Sequence, residues 1–165
     1  MDKFCPNFRN RYSLLLVLLL LISQAAAVAA IPKRFIDNKD GTIKDTTTGL
    51  TWVKDPEQVP SMRGPLIWVS ARDGCRDLVY AGAGPNAWRL PNIGELQSLI
   101  SDGTSSPRID IFFFNSFAAN YWSATDYTGP GAYVWIVDFA RGETGASRKL
   151  NLLSPELQRA RCVRS

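Results

Sequence analysis

Lys3, Arg9 and Arg11 precede an unbroken apolar run from Leu14 to Ile22, and the small-residue stretch SQAAAVAA (23–30) comes after it. Basic, apolar and small segments in that order predict a secretory leader over residues 1–30, removed after Ala29 or Ala30. The competing reading is a retained N-terminal anchor, although the strongly apolar part is nine residues, against roughly 20 for a membrane-spanning helix. Cys5 lies before the apolar run and so is not a lipid-attachment cysteine. The leader constrains the fold in two ways. It leaves residues 31–165 to form a single domain, and it directs that domain to the periplasm or the cell exterior, where disulfides persist. No membrane span is expected after cleavage.

Export also changes the charge argument. Of 19 basic and 15 acidic residues, the leader removes three and one, so the remaining domain is near +2. Such a balance gives no support to a nucleic-acid partner. The whole chain has no histidine, which excludes Ser-His-Asp and Cys-His catalysis and imidazole-based zinc sites. No cofactor and no metal are expected. Cys75 and Cys162 are the two cysteines that survive processing, and in an exported chain they predict one disulfide, structural rather than catalytic. The loop so closed corresponds to about 4.6 kcal/mol of unfolded-state entropy at most.

Asp40-Gly41 and Thr48-Gly49 punctuate residues 34–52, predicting two or three short strands. Asp37, Asp40 and Asp45 do not have calcium-loop spacing, since Lys39 takes the third position, so they read as solvated turn carboxylates. Proline-rich 55–65 reads as a loop. Trp68, Ala71, Cys75, Leu78 and Val79 share one helical face, with Arg72, Asp73, Arg76 and Asp77 mostly off it. In WRLPNIGELQSLI (88–100), Asn92 and Glu95 have capping-box spacing, so a second helix is expected over 93–100 and Glu95 is read as a cap rather than a general acid. Arg89 reads as a structural residue with a carboxylate partner. In IDIFFFNSF (109–117), three adjacent phenylalanines cannot all face the core. Strands are expected over 121–127 and 132–139, a turn over 141–145, a further strand over 148–153 and a short closing strand over 160–164.

These pieces run in a distinctive order: RFIDNKDGTIKDTTTGLTW (34–52), Trp68 with Ala71 and Cys75, WRLPNIGELQSLI, FFFN (112–115), YWSAT (121–125), YVWIVDFARGE (133–143) and RCVR (161–164). The order resembles the Lcl C-terminal domain family, named for a bacterial collagen-like adhesin and long filed as a domain of unknown function. The resemblance spans residues 34–164 and implies an α+β, C-type-lectin-like fold. Two helices would pack on small twisted antiparallel β-sheets, with a disulfide joining Cys75 to Cys162. The WRLP-x-x-x-E segment is also similar to one in formylglycine-generating-type enzymes of lectin-like architecture. The family's naming member is implied to bind sulfated glycosaminoglycans in adhesion. This chain lacks that member's collagen-like repeats, so trimerisation is not carried over.

Three functions remain in view. The favoured one is a secreted or periplasmic, non-enzymatic module that binds a glycan, an anionic polysaccharide or another cell-surface polymer. A second is a structural envelope component without a small ligand. A third is an enzyme, either of formylglycine-generating type or a glycosidase using two carboxylates from Asp110, Asp126 and Asp138. Positive charge is concentrated late in the chain: residues 141–165 hold six basic residues against Glu143 and Glu156. Arg141, Arg148 and Lys149 are the candidate anionic-ligand residues, expected to form one basic surface if the closing strands lie side by side. Arg161 and Arg164 flank Cys162 and are read as structural. Most of Trp52, Trp68, Trp88, Trp122 and Trp135 are expected in the core.

Overall fold

A computed structural model describes residues 33–110, 113, 116–149 and 153–165. The expected leader, the first, second and fourth residues of the IFFF run with Asn115, and residues 150–152 of the expected 148–153 strand lie outside the described residues. The described residues form, in order, β1 (Phe35–Asp37), β2 (Thr42–Asp45), β3 (Thr51–Val53), α1 (Trp68–Arg76), α2 (Ile93–Gln97), β4 (Asn120–Asp126), β5 (Tyr133–Asp138), β6 (Glu143–Arg148) and β7 (Val163–Arg164). Together they make an α+β fold with two antiparallel sheets, β1-β2-β3-β7 and β4-β5-β6.

The opening meander is set by its turn chemistry. Asp40 Oδ1 accepts from the Thr42 amide and hydroxyl at 3.0 and 2.6 Å, and Gly41 adopts φ +88°. A side chain there would be strained by its backbone, and its Cβ would lie 2.0 Å from the Tyr80 hydroxyl oxygen, so only glycine fits. Not every carboxylate in the meander is solvated, as the sequence suggested. Asp45 is fully buried and accepts from Arg34 Nη2 at 2.8 Å and the Thr47 amide at 3.0 Å. Burial alone would raise its carboxyl, but these donors outweigh that and hold it below its ordinary value.

Residues 55–65 contain two 3-10 turns, Pro56–Gln58 and Pro60–Met62, each beginning at a proline. Helix α1 buries Trp68, Ala71 and Cys75, as its apolar spacing predicts. It ends at Arg76, however, so helical spacing does not govern the next residues. Leu78 is buried, whereas Val79, expected inward, is 70% exposed.

Helix α2 has the full capping box: Asn92 Oδ1 accepts from the Glu95 amide at 2.8 Å, and Glu95 Oε2 accepts from the Asn92 amide at 2.8 Å. It is five residues long, shorter than expected, because Leu99 and Ile100 close as tight turns onto Leu96 and Gln97. Arg89 has its carboxylate partner, donating through both Nη atoms to Glu95 at 2.8 and 2.7 Å. Replacing Asn92 with Ala leaves the Glu95 amide unserved, so the expected loss in unfolding free energy is about 1 kcal/mol. Urea unfolding checks this, and an unchanged midpoint would remove the cap from the account.

The expected turn over 141–145 is displaced, and a strand forms at residues 143–148, ahead of the one expected over 148–153. The chain reverses at Gly142 (φ +73°), whose amide donates to Asp138 O at 2.7 Å, and strand β6 begins at Glu143. Residues 143–148 (ETGASR) have weak strand propensity. Their strand arises from residue-for-residue pairing with the apolar, β-branched β5, from Tyr133↔Arg148 to Asp138↔Glu143.

The C-terminal segment laces the sheets together. Gln158 exchanges hydrogen bonds with Leu66, Arg159 bonds to Asn120 and Trp122 of β4, and Val163 pairs with Trp52 of β3 and with Arg89. The closing strand is only Val163–Arg164, two residues. Cys162 bridges to Cys75 with a Cα–Cα distance of 5.5 Å, tying this segment to α1. The bridge lies in a core with Met62, Trp68, Trp88, Leu90, Trp122 and Val134. A second cluster holds Phe35, Ile43, Trp52, Leu96, Phe113, Tyr121 and Phe139, with edge-to-face pairs at 5.1 Å for both Phe35–Phe113 and Tyr121–Phe139. Four of the five tryptophans are buried, and Trp135 is half-buried.

Candidate anionic-ligand surface

Strand β6 fixes where the three sequence candidates lie. Arg141 sits in the β5–β6 turn, with 74% of its side chain exposed, and donates to Asp138 Oδ2 at 2.9 Å. Arg148 closes β6 opposite Tyr133, donates through Nε to the Tyr133 hydroxyl at 2.7 Å and places its guanidinium 5.4 Å from that ring. The tyrosine hydrogen bond holds the Arg148 guanidinium above its ordinary value. Lys149 pairs with Asp126 and places its ammonium 4.8 Å from the centre of the Trp68 ring. The expected single basic surface is therefore divided. Arg148 and Lys149 are together at one end of β6, while Arg141 lies beyond the other end, at least about 17 Å away for a strand of this length.

A different set of cations gathers near Lys149. Arg72 of α1 places its guanidinium 5.0 Å from the same Trp68 ring, so Arg72 and Lys149 are within about 10 Å of one another. Trp68 is fixed for this role: its Nε1 donates to Ser123 O at 2.9 Å, and the ring is 8% exposed. On its other flank, Arg72 borders an open cleft of about 330 Å³ between α1 and residues 86–92, with Ala124 of β4 in its floor. Arg72, Arg76 and Arg89 line the cleft beside Trp88 and Leu90, with Asn86 and Asn92 supplying amides.

The acids that pair with these arginines are outside the cleft lining. Asp73 accepts from Arg72 Nε and Arg76 Nη1, both at 2.9 Å, and Asp77 accepts from Arg76 Nε and Nη2 at 2.8 and 3.0 Å. Asp73 and Asp77 instead border a groove with Val59, Pro60, Leu78 and Val79. Helix α1 thus separates its charges, with arginines toward the cleft and aspartates toward the groove. Hydrogen bonds from Arg72 and Arg76 hold the Asp73 and Asp77 carboxyls below their ordinary values, and Asp77 in turn raises Arg76. Burial alone would raise Glu95, but Arg89 and the Asn92 amide hold it low.

Sequence reasoning places Arg72 and Arg76 off the apolar face of α1 without assigning them a role. The available signal is their four-residue spacing, which puts both on one stripe of the helix. Arg89 is legible only as a structural residue. Its position across the cleft depends on the path of residues 77–88, which no local pattern encodes.

The carboxylates considered for glycosidase chemistry are not brought together as a pair from β4 and β5. Asp126 ends β4, whereas Asp138 is opposite Asn120 at the strand's beginning. Asp126 pairs with Val134 across an irregularity in β4, so four residues of β5 separate those levels, about 13 Å, where glycoside hydrolysis needs about 5–9.5 Å. Asp110 comes directly after the Ile109 bridge to Ile100. Among the described residues, no group of three or more Cys, Asp or Glu is placed to hold a metal ion. No described helix is long and apolar enough to cross a membrane.

The order of elements that suggested a family also has a direct counterpart among known domains. The family described as the Lcl C-terminal domain matches residues 41–164. No curated protein and no solved structure matches the chain. The family match runs from the β1–β2 turn through α1, the capped WRLPN segment and both sheets to the closing strand, well over half of the sequence, and the chain belongs to the Lcl C-terminal domain family.

Proposed function

We propose that this chain is an exported, non-enzymatic binding module that recognises an anionic glycan or another anionic cell-surface polymer in an adhesion-type role. The observation that carries the proposal is the pair of cations held over Trp68: Lys149 at 4.8 Å and Arg72 at 5.0 Å. Arg148 is the next residue to Lys149, and the arginine-lined cleft lies on the far side of Arg72. A polymer bearing repeated negative groups would meet several cations along this path, each contributing modestly and all weakened by salt. The two helices, the two small sheets and the Cys75–Cys162 bridge support a C-type-lectin-like reading of the architecture.

Heparin chromatography tests the reading. The exported protein is expected to be retained at low salt and released as salt rises. Replacing Arg148 and Lys149 with Ala shifts elution to lower salt, whereas Arg141→Ala, at the remote end of β6, has the smaller effect. No retention at low salt, or unchanged elution of the triple variant, would remove the anionic polymer and leave a neutral glycan or a protein partner.

A further inference from the structure

We infer that two copies of this chain join through the open edge of β6. The two strands run antiparallel about a two-fold axis, so that the β4-β5-β6 sheet continues into the same sheet of the partner. The pairing does not depend on the anionic-polymer reading.

The ladder between β5 and β6 decides which backbone groups of β6 face outward. The Lys149 amide donates to Ala132 O at 2.8 Å, and the register runs unbroken from Tyr133↔Arg148 to Asp138↔Glu143. Antiparallel pairs alternate, so Glu143, Gly145 and Ser147 turn their amides and carbonyls toward β5, while Thr144, Ala146 and Arg148 turn theirs away. Glu156 Oε2 takes the outward Arg148 amide at 3.1 Å. Among the described residues nothing takes the amide or carbonyl of Thr144 or Ala146, and both residues are exposed. The opposite edge of the sheet is covered: Asn120 and Trp122 of β4 bond to Arg159, and the Ala124 amide donates to Pro91 O at 2.7 Å. Edge strands are commonly blunted by proline, by lysine or by a bulge, and residues 144–146 have none of these.

A second β6 complements this edge in hydrogen bonding. Setting Thr144 opposite the partner's Ala146 joins each open amide to an open carbonyl and leaves the Glu156 contact in place. The axis then passes between the two Gly145 residues. Gly145 has no positive φ, and a Cβ there would meet Ile136 at 3.6 Å, an ordinary contact, so the fold of one copy does not require glycine. Glycine inside a strand often marks the close approach of another backbone, and across this axis the Cα atoms come to about 4.5 Å.

Charge is complementary in the same arrangement. Antiparallel pairing brings the first residue of one β6 beside the last residue of the other. Glu143 has no ion pair among the described residues, and Arg148 donates its Nε to the neutral Tyr133 hydroxyl at 2.7 Å. Both are exposed. With Thr144 opposite the partner's Ala146, Arg148 falls opposite the partner's Gly142, next to the partner's Glu143, and the contact occurs at both ends of the joint. An uncharged extended segment from another protein would fill the hydrogen bonds but leave both charges unmatched.

Sedimentation equilibrium of the exported protein at concentrations up to about 1 mM, combined with amide hydrogen exchange, tests this. A monomer–dimer equilibrium is expected. The Thr144 and Ala146 amides should be protected at high concentration and exchange freely on dilution, while the Gly145 and Ser147 amides, bonded to β5, stay protected at both. Ala146→Pro removes an outward N–H and no bond to β5, so it should weaken association by about tenfold or more. Glu143→Arg should weaken it by about fivefold, and adding Arg148→Glu should restore it. The Trp52 and Trp122 indole signals report that the variants remain folded; if Ala146→Pro unfolds, the exchange pattern of the parent decides. A monomer at every concentration or a trimer would overturn the inference. So would Thr144 and Ala146 amides that exchange alike at both concentrations, or a Glu143→Arg variant that associates as the parent does.

Discussion

Replacing Cys75 and Cys162 together with Ala is expected to lower the unfolding free energy by several kcal/mol, the largest effect of any change considered. The bridge spans a sequence separation of 87 residues, for which the chain-entropy model gives a ceiling of about 4.6 kcal/mol. Position adds to the consequence. Both cysteines are fully buried, so each alanine also leaves a gap in the cluster around Trp68 and Trp122. Besides the bridge, the C-terminal segment is held by a two-residue strand, by isolated bridges at Gln158, Arg159 and Val163, and by the side chains of Arg159 and Arg161, which bond to Glu57 and to the Val53 and Lys54 carbonyls. Reduction is therefore expected to free residues 157–165 before the β4-β5-β6 sheet, a sequence that hydrogen exchange can resolve. Denaturant unfolding with and without reductant measures the energy. Two thiols titrating in residues 31–165 before reduction, or a loss below about 1 kcal/mol on removing both cysteines, would contradict the account.

The parts of this fold legible in the sequence are those set by neighbours in the chain. Asp40-Gly41 announces the first hairpin because a turn with positive φ is a local demand, and the capping box of Asn92 and Glu95 is complete within four residues. The buried face of α1 is written in the spacing of Trp68, Ala71 and Cys75. Strand β6 lies ahead of the position its sequence suggests because ETGASR contains no strand signal of its own; its conformation is imposed by β5. The candidate site is partly legible for the same reason. Charge counting finds Arg148 and Lys149, but the contact of Lys149 with Trp68 crosses 81 positions of sequence. The cleft needs Arg72 and Arg89 from opposite sides of a loop whose path is tertiary. Local patterns reveal which residues are charged; the long-range path decides which charges face the same space.

Arg161 shows the same limit from inside the core and supports the second large prediction. Its place beside Cys162 marks it as structural, and the fold gives it a specific task. Its side chain is 1% exposed. Nη1 donates to the carbonyls of Val53 and Lys54 at 2.7 and 2.6 Å, and Nη2 donates to Ser116 Oγ at 2.8 Å. The guanidinium also lies 5.1 Å from the Phe113 ring. One side chain thus joins the end of β3 to the Phe113–Ser116 region and to the C-terminal segment. Burial pushes its guanidinium down from the ordinary arginine value, while Tyr121 and Asp55 act in the opposite direction. Arg161→Met preserves much of the volume but strands the buried Val53 carbonyl and removes the donors to the half-buried Lys54 carbonyl and the Ser116 hydroxyl. Each unsatisfied buried acceptor costs about 1–3 kcal/mol, so the expected loss is about 3 kcal/mol or more. Arg161→Lys keeps the charge but cannot reach both carbonyls and the Ser116 hydroxyl with one ammonium, and is expected to lose at least about 1 kcal/mol. Urea unfolding of the two variants decides the matter. If Arg161→Met falls within about 1 kcal/mol of the parent, the three hydrogen bonds are dispensable and Arg161 only fills space; if it is lost while Arg161→Lys holds, charge rather than the fork is what the core requires.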